Sequence, residues 1–484
     1  MARKYLTLGV IGCCLIGLIF WVGSCARNPV SGKQEIMLLN EADEVKLGAE
    51  TDAQVVQEYG VYKDEELTAY LSKIYQRMAK VSHRPNLNFQ LKLVDVSVVN
   101  AFAVPGGYVY LTRGILASLD NEAELAGVMG HEIGHITARH SAQQYSRAQL
   151  AQLGLMVPQV LGIPGGSALA QLGAGMLFLR FSRDNERQAD DLGVEYSSKA
   201  GYDATQMATF FETLERMNPG SDQSGLPAWF STHPNPEDRV VAVRKRAGEW
   251  QQKLSLQAPK VNRDVYLRGL DGLVFGENPR QGYVADHVFY HPDLLFQFPV
   301  PAGWKLNNTP SQVQMVSQGK DAVILFSMGA GSSPREAAKT FVSNTKGDVI
   351  RSEALQVNGL TSQRIVADLN TDQGLVRVLS YFTQKEKRIF VFHGLTSRNQ
   401  YPTYEDIFDR TMRQFQELTD SRRIDVQPNR IRLRTTEGAD TLEDALRFLD
   451  VPDKKLKEVV LLNGGDPKQR VRAETLLKVV ERGR

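Results

Sequence analysis

Two histidines one helical turn apart, with a glutamate between them, stand in the stretch GVMGHEIGHITARH at 127–140: His131, Glu132 and His135. Positions i and i+4 of an α-helix share a face, so both imidazoles can reach one metal ion while Glu132 points close beside them. Two imidazoles do not complete a catalytic zinc site, which takes three protein donors and leaves a fourth position to water. A third histidine downstream would need Gly at 138 and His at 141, where this chain has Ala138 and Ser141. Between His135 and Asp184 there is no Asp or Glu, and the first glutamate is Glu186, in SRDNERQADDLG. Four residues on, Asp190 falls on the same helical face, where a carboxylate can bond the far nitrogen of a zinc histidine and fix its tautomer. The spacing predicts one Zn2+ per chain on His131, His135 and Glu186, with Glu132 as general base.

Two more residues join Glu132 as catalytic candidates. His233, in THPNPEDR, sits on a proline-rich stretch ahead of a helix expected at 236–250. Three readings of it stay open: a reversible cap on the fourth metal position, a partner for a developing oxyanion, or a loop histidine holding local structure. Arg239 is a candidate for stabilising negative charge. His140, five residues past His135, lies off the ligand face of a continuous helix and reads as structural. His83, His287 and His291 have no metal-site company.

Elements must position these groups. Apolar residues at threes and fours predict helices at 41–59 and 64–81. LNFQLKLVDV alternates from Leu87 as a strand, and a Pro-Gly-Gly turn leads into a second strand at 108–111. Asn100, Ala101, Phe102 and Tyr108 are expected to offer an exposed strand edge to an extended peptide. Asn121 and Glu124 have capping-box spacing, and the helix they open is expected to run to about 150. A helix at 182–199 carries Glu186. The stretch 150–179 is glycine-rich and broken by Pro158, Pro164 and Gly165-Gly166, and reads either as a buried hairpin or as a lid over the site.

At 484 residues the chain exceeds one ordinary core. Strand-like runs dominate from about 280 to 420 and predict a separate α+β accessory domain. The fold class is therefore α+β: a mainly helical metallopeptidase domain with a small sheet at 25–255, the accessory domain, and a small module at 428–480. A net charge of +2 argues against nucleic acid as a partner. Residues 1–24 read as a signal peptide, with Arg3 and Lys4 before an apolar run that ends VGSC at Cys25. VIGC at Cys13 is the competing cleavage site, and an uncleaved anchor helix is the other reading. The three cysteines all lie at or before Cys25, so a chain cut there carries no disulfide and one thiol to lipidate.

HEIGH at 131–135 followed by ERQAD at 186–190, with NAFAVPGGYVYLTRGIL and STHPNPEDR, resembles the zinc metallopeptidase family of CAAX prenyl proteases, HtpX-like and BepA-like enzymes. The likeness spans about 28–248, and the export signal points to the exported BepA-like branch of these gluzincins. It implies a zincin-type fold and an endopeptidase of misfolded or stalled envelope proteins working beside the outer-membrane assembly machinery. VGSC resembles a bacterial lipobox, and Ala26 after the cysteine implies, by bacterial sorting rules, an outer-membrane lipoprotein facing the periplasm. The chain departs from the family pattern downstream, where strands stand in place of helical repeats. Its last 50 or so residues resemble a divergent LysM module, which implies peptidoglycan contact; a generic capping subdomain is the other reading. The competing function is an envelope chaperone or scaffold lipoprotein with a latent metal site.

Overall fold

The computed structural model describes residues 25–152, 180–217, 229, 232–233, 238–371, 374–438 and 441–483. The expected signal peptide and most of the expected hairpin or lid, 153–179, lie outside the described residues. No helix among those described is long and apolar enough to cross a membrane. The chain divides into two compact units, one built from 61–276 with the N-terminal segment and 430–481, the other from 277–429.

The first unit opens with a short pair, β1 (Cys25–Arg27) and β2 (Gln34–Ile36), followed by helices α1 (Glu41–Tyr59) and α2 (Glu65–Lys80). Asp64 caps α2, its carboxylate accepting from Leu67 N. Three strands follow, β3 (Gln90–Val94), β4 (Ala101–Val104) and β5 (Tyr108–Thr112), with β5 in the middle, parallel to β3 and antiparallel to β4. After α3 (Arg113–Ser118) comes α4 (Glu122–Thr137), buried along its whole length and carrying the two metal-spaced histidines. A helix buried all round belongs at the centre of its unit, which is where the largest apolar cluster places it. Asn121 caps α4 through Glu124 N; the reciprocal bond from the Glu124 carboxylate goes to Asp120 N, one residue before the cap.

The single helix expected to run to 150 is two helices. It breaks at Ala138 and Arg139, and α5 (His140–Gln152) starts in a new direction. Arg139 takes a left-handed φ of 59°, which costs a non-glycine residue about 1 kcal/mol. Partners from distant segments hold it there: Arg139 donates to Glu44 at 2.6 Å and Leu39 O at 2.7 Å, Asn28 donates to Ala138 O, and Arg84 to Ile136 O. Further on lie α6 (Arg183–Lys199), α7 (Gln206–Met217), α8 (Arg239–Lys253) and α9 (Arg263–Gly269).

The second unit is antiparallel. Strands β6 (Tyr283–Ala285), β7 (Val288–His291) and β8 (Phe296–Pro299) form one small sheet, which the short strand Gln416–Glu417 extends by pairing with β8. The larger sheet has the order β12-β13-β14-β15-β11-β10-β9, from β9 (Lys305–Asn308), β10 (Gln312–Val316), β11 (Ala322–Gly329), β12 (Asp348–Val357), β13 (Leu360–Thr371), β14 (Gly374–Lys385) and β15 (Arg388–Ser397). Helices α10 (Pro334–Thr345) and α11 (Tyr401–Arg413) complete it. An aromatic cluster around Phe296, Phe298, Phe326, Phe390 and Phe392 fills its main core.

The terminal segment, β16 (Arg430–Thr435), α12 (Leu442–Phe448), α13 (Asp453–Leu462) and β17 (Leu476–Glu481), runs strand, helix, helix, strand. It packs into the first unit instead of standing apart: Ile431, Leu462 and Leu476 belong to the same cluster as α4. Lys478 on β17 is fully buried and donates to Ala117 O at 3.1 Å and Leu119 O at 2.6 Å, directly ahead of α4. Replacing it by Met strands two buried carbonyls, so Lys478→Met should lower stability by about 2–4 kcal/mol in chemical denaturation. In the second unit, burial pushes the pKa of His393 down to about 4, with its ring stacked on Phe341 at 4.4 Å. The unfolded chain then binds more protons than the folded one between about pH 6.5 and 4, so stability falls with acidification through that window. His393→Leu should flatten that part of the calorimetric melting temperature against pH.

Candidate metal centre

Two glycines of α4 and one of α6 decide how close the two helices can come. A methyl group at Gly130 would lie 2.9 Å from Gly193 O, and one at Gly134 3.1 Å from Leu192 Cβ. One at Gly193 of α6 would in turn meet His131 N at 3.0 Å, while Gly127 gives the same clearance to Met207 of α7. The bare backbones therefore touch, and Glu186 at the start of α6 reaches the histidine pair.

His131 Nε2 and His135 Nε2 stand 3.0 Å apart. Glu186 Oε2 is 3.5 Å from the first and Oε1 3.4 Å from the second. His233 arrives from the far side, its Nδ1 3.2 Å from His131 Nε2 and 3.2 Å from both Glu186 oxygens. One donor atom from each of these four residues lies within 4.8 Å of the others, and all four side chains are buried. Trp229 stacks on the His233 ring at 4.2 Å and Phe181 on His135 at 4.1 Å, closing the donors off with apolar rings.

Behind the donors, Asp190 accepts from His131 Nδ1 at 2.9 Å and from Arg239 Nη2 at 2.7 Å. Arg239 lies flat over Phe211 and 3.6 Å from Glu186, so it neutralises these two carboxylates from the rear. Burial drives His131 and His135 below the ordinary histidine range and keeps both imidazoles neutral, as metal donors must be. Burial also pushes Glu186 up, but the neighbouring histidines outweigh it and hold its carboxyl well below the usual range. Glu132 is the unsatisfied member: both its oxygens are buried without a hydrogen-bond partner among the described residues, and burial raises its pKa to about 7. Burial pulls the His233 pKa down, but Glu186 and Glu132 outweigh it and raise it, so three buried carboxylates share Arg239 and this ring, and a divalent cation would complete the charge balance. Three nitrogens and one carboxylate in a tight cluster suit zinc in particular.

The residues singled out by spacing sit as follows. His131, His135 and Glu186 are brought together, with Asp190 behind them and Glu132 beside them, its Oε1 3.6 Å from His233 Nε2. The peptide-binding set differs from the exposed edge anticipated. β4 does end its sheet, yet Asn100, Ala101, Phe102 and Tyr108 are all buried. Asn100 contacts Thr232 next to His233, Phe102 stacks on Tyr110, and Tyr108 pairs on the central strand with Val104 and Gln90. Ala101 O, 3.5 Å from His233 Nε2, is the point where β4 borders the donors. His140, placed off the site by a continuous helix, lies 2.9 Å from His135 because α4 breaks. Trp229, Phe181 and Gln188 have no motif of their own and emerge only with the fold.

Gly130→Ala should force the helices apart by tenths of an ångström, costing about 1–3 kcal/mol and loosening zinc retention in dialysis. Gly248→Ala, where no atom lies within 4 Å of the added methyl, should be neutral or stabilise by up to about 1 kcal/mol. Equal effects of the two substitutions would show that the close approach is not required.

Peptidase family M48 matches residues 65–247, which includes every donor above. The chain is 29% identical over 259 residues to the beta-barrel assembly-enhancing protease of Escherichia coli (strain K12), covering 51% of this chain and 53% of that protein. It is 32% identical over 204 residues to the protein of that name from Yersinia pestis, covering 38% and 40%. It thus spans about half the length, or less, of these bacterial relatives. Against the mitochondrial metalloendopeptidase OMA1 of Schizosaccharomyces pombe it is 30% identical over 243 residues, covering 49% of this chain and 71% of that one. With the HEIGH and ERQAD residues gathered around one point and the match extending over most of a relative's length, the chain belongs to peptidase family M48.

Proposed function

We propose that this protein is a zinc-dependent endopeptidase of the bacterial envelope that cleaves misfolded or stalled envelope proteins. The observation that carries the reading is the Glu132 carboxylate, buried without a hydrogen-bond partner among the described residues, beside four converging buried donors. His131, His135 and Glu186 are the ligands in this reading. Bound there, zinc supplies Lewis acidity toward the scissile carbonyl and lowers the pKa of a water to about 7. Glu132 accepts that water's proton and passes it to the leaving amine. Its raised pKa suits a group that must both take and return a proton near neutrality. Asp190 fixes the His131 ring, and Arg239 balances the carboxylates behind it.

His233 gives the proposal a second part. Its Nδ1 lies at one corner of the cluster of proposed ligand atoms, which supports reading His233 as a reversible cap that restrains the enzyme. Withdrawal of His233 would open that corner, and its ring would then be within reach of the oxyanion. A substrate would lie in extended form beside β4, the strand that ends its sheet next to the donors. The substrate class follows the bacterial relatives, whose name ties them to β-barrel assembly. Lipid on Cys25, residence at the periplasmic face of the outer membrane and peptidoglycan contact through 428–480 complete the proposal.

Purified full-length chain loaded with zinc should cleave unfolded envelope proteins in preference to folded ones. Glu132→Gln should slow this by about 10²–10⁴-fold or more while keeping its zinc, and His131→Ala should lose the zinc. If neither the native chain nor His233→Ala cuts anything with zinc present, yet both still bind unfolded protein, the scaffold reading replaces the protease. Undiminished zinc in His131→Ala would reject the ligand set.

A further inference from the structure

His140 and Gln188 take no part in the chemistry above, yet both touch its machinery. The His140 ring is 1% exposed and stands edge-on to His135, with ring centroids 5.0 Å apart at 72°. Its Nδ1 lies 2.9 Å from His135 Nδ1, and its Nε2 lies 2.9 Å from Gln188 Oε1.

Two imidazole nitrogens at 2.9 Å share a single proton, so the bond has a direction, and two directions are self-consistent. In one, Gln188 Oε1 accepts from His140 Nε2–H, which leaves His140 Nδ1 as an acceptor for His135 Nδ1–H. His135 Nε2 is then a bare lone pair. In the other, the Gln188 amide is turned over and donates, every proton moves one place along, and His135 Nε2 carries hydrogen. That hydrogen would point at the atoms that converge on the proposed metal position, His131 Nε2 at 3.0 Å and Glu186 Oε1 at 3.4 Å. Only the first direction leaves His135 able to bind a cation.

We infer that Gln188 and His140 form a positioning relay that holds His135 in its Nδ1–H form and thereby makes its Nε2 a metal donor. The inference rests on the proposed ligand role of His135. The relay is the counterpart of Asp190, which does the same for His131 through one direct bond. One turn of α6 therefore serves both imidazoles: Glu186 is the donor, Asp190 orients the first histidine, and Gln188 orients the second through His140. The middle of ERQAD is not spacer in this account.

Zinc competition with a chromogenic chelator on the full chain tests it. His140→Leu should weaken zinc binding by about 10–100-fold, as loss of such a partner does at other zinc sites. His140→Asn, whose Oδ1 can stand where Nδ1 stood, should restore most of that affinity. Gln188 is only half-buried, so Gln188→Met should fold and still weaken zinc in the same direction. In the native zinc-loaded chain, 15N-edited NMR should show His135 protonated at Nδ1 and metal-bound at Nε2. Native affinity in His140→Leu, an Asn variant as weak as the Leu variant, or zinc on His135 Nδ1 would each overturn the relay while leaving the metal site standing. A native chain that takes up no zinc would overturn both.

Discussion

The contact between the bare backbones of α4 and α6 is the constraint on which the site depends. His131 and His135 can face one point because they share a helix, but Glu186 is 51 positions further along and must be delivered by a second helix. Gly130, Gly134 and Gly193 remove the side chains that would hold the two axes apart. Such packing has no slack, because a buried helix surrounded on every side transmits a misfit into the donor geometry.

Around that contact the first unit solves an electrostatic problem. It buries Glu132, Glu186 and Asp190 against one arginine, Arg239, and the His233 ring. Burial of uncompensated carboxylates is tolerated where a cation or shared protons offset it, and both devices are visible here. The neighbouring histidines hold Glu186 ionised, whereas Glu132 is left with a pKa near 7 and no hydrogen-bond partner among the described residues. The group that must shuttle a proton in the proposed mechanism is the one that the fold leaves least stabilised.

The surroundings of the site come from both ends of the chain. Asn28, Leu39 and Glu44 hold the break after α4 open from the N-terminal side, and Lys478 closes the carbonyls ahead of α4 from the C-terminal side. The expected small module at 428–480 is therefore built into the unit that carries the donors. Arg263 makes the same connection from α9, binding Asp120 and Leu476 O. These are long-range contacts with no local signature, so repeat or motif reading treats the terminal segment as a separate body.

What could be read from the sequence was local. The i, i+4 spacing of His131 and His135, the ExxxD spacing of Glu186 and Asp190, and the cap at Asn121 depend on one helix or one turn at a time, and helical geometry is the same wherever the helix sits. The absence of any carboxylate between His135 and Asp184 singled out Glu186 without reference to packing. Only the tertiary structure decided which faces meet. It bent the chain at Arg139 and so turned His140 from a residue off the ligand face into the partner of His135. It buried the strand stretch Asn100 to Tyr108, which alternation alone had left open, and it set His233 among the donors. Each of these outcomes depends on contacts between segments tens to hundreds of residues apart. Periodicity says which side of an element is apolar, and it carries no information about what that side will be pressed against.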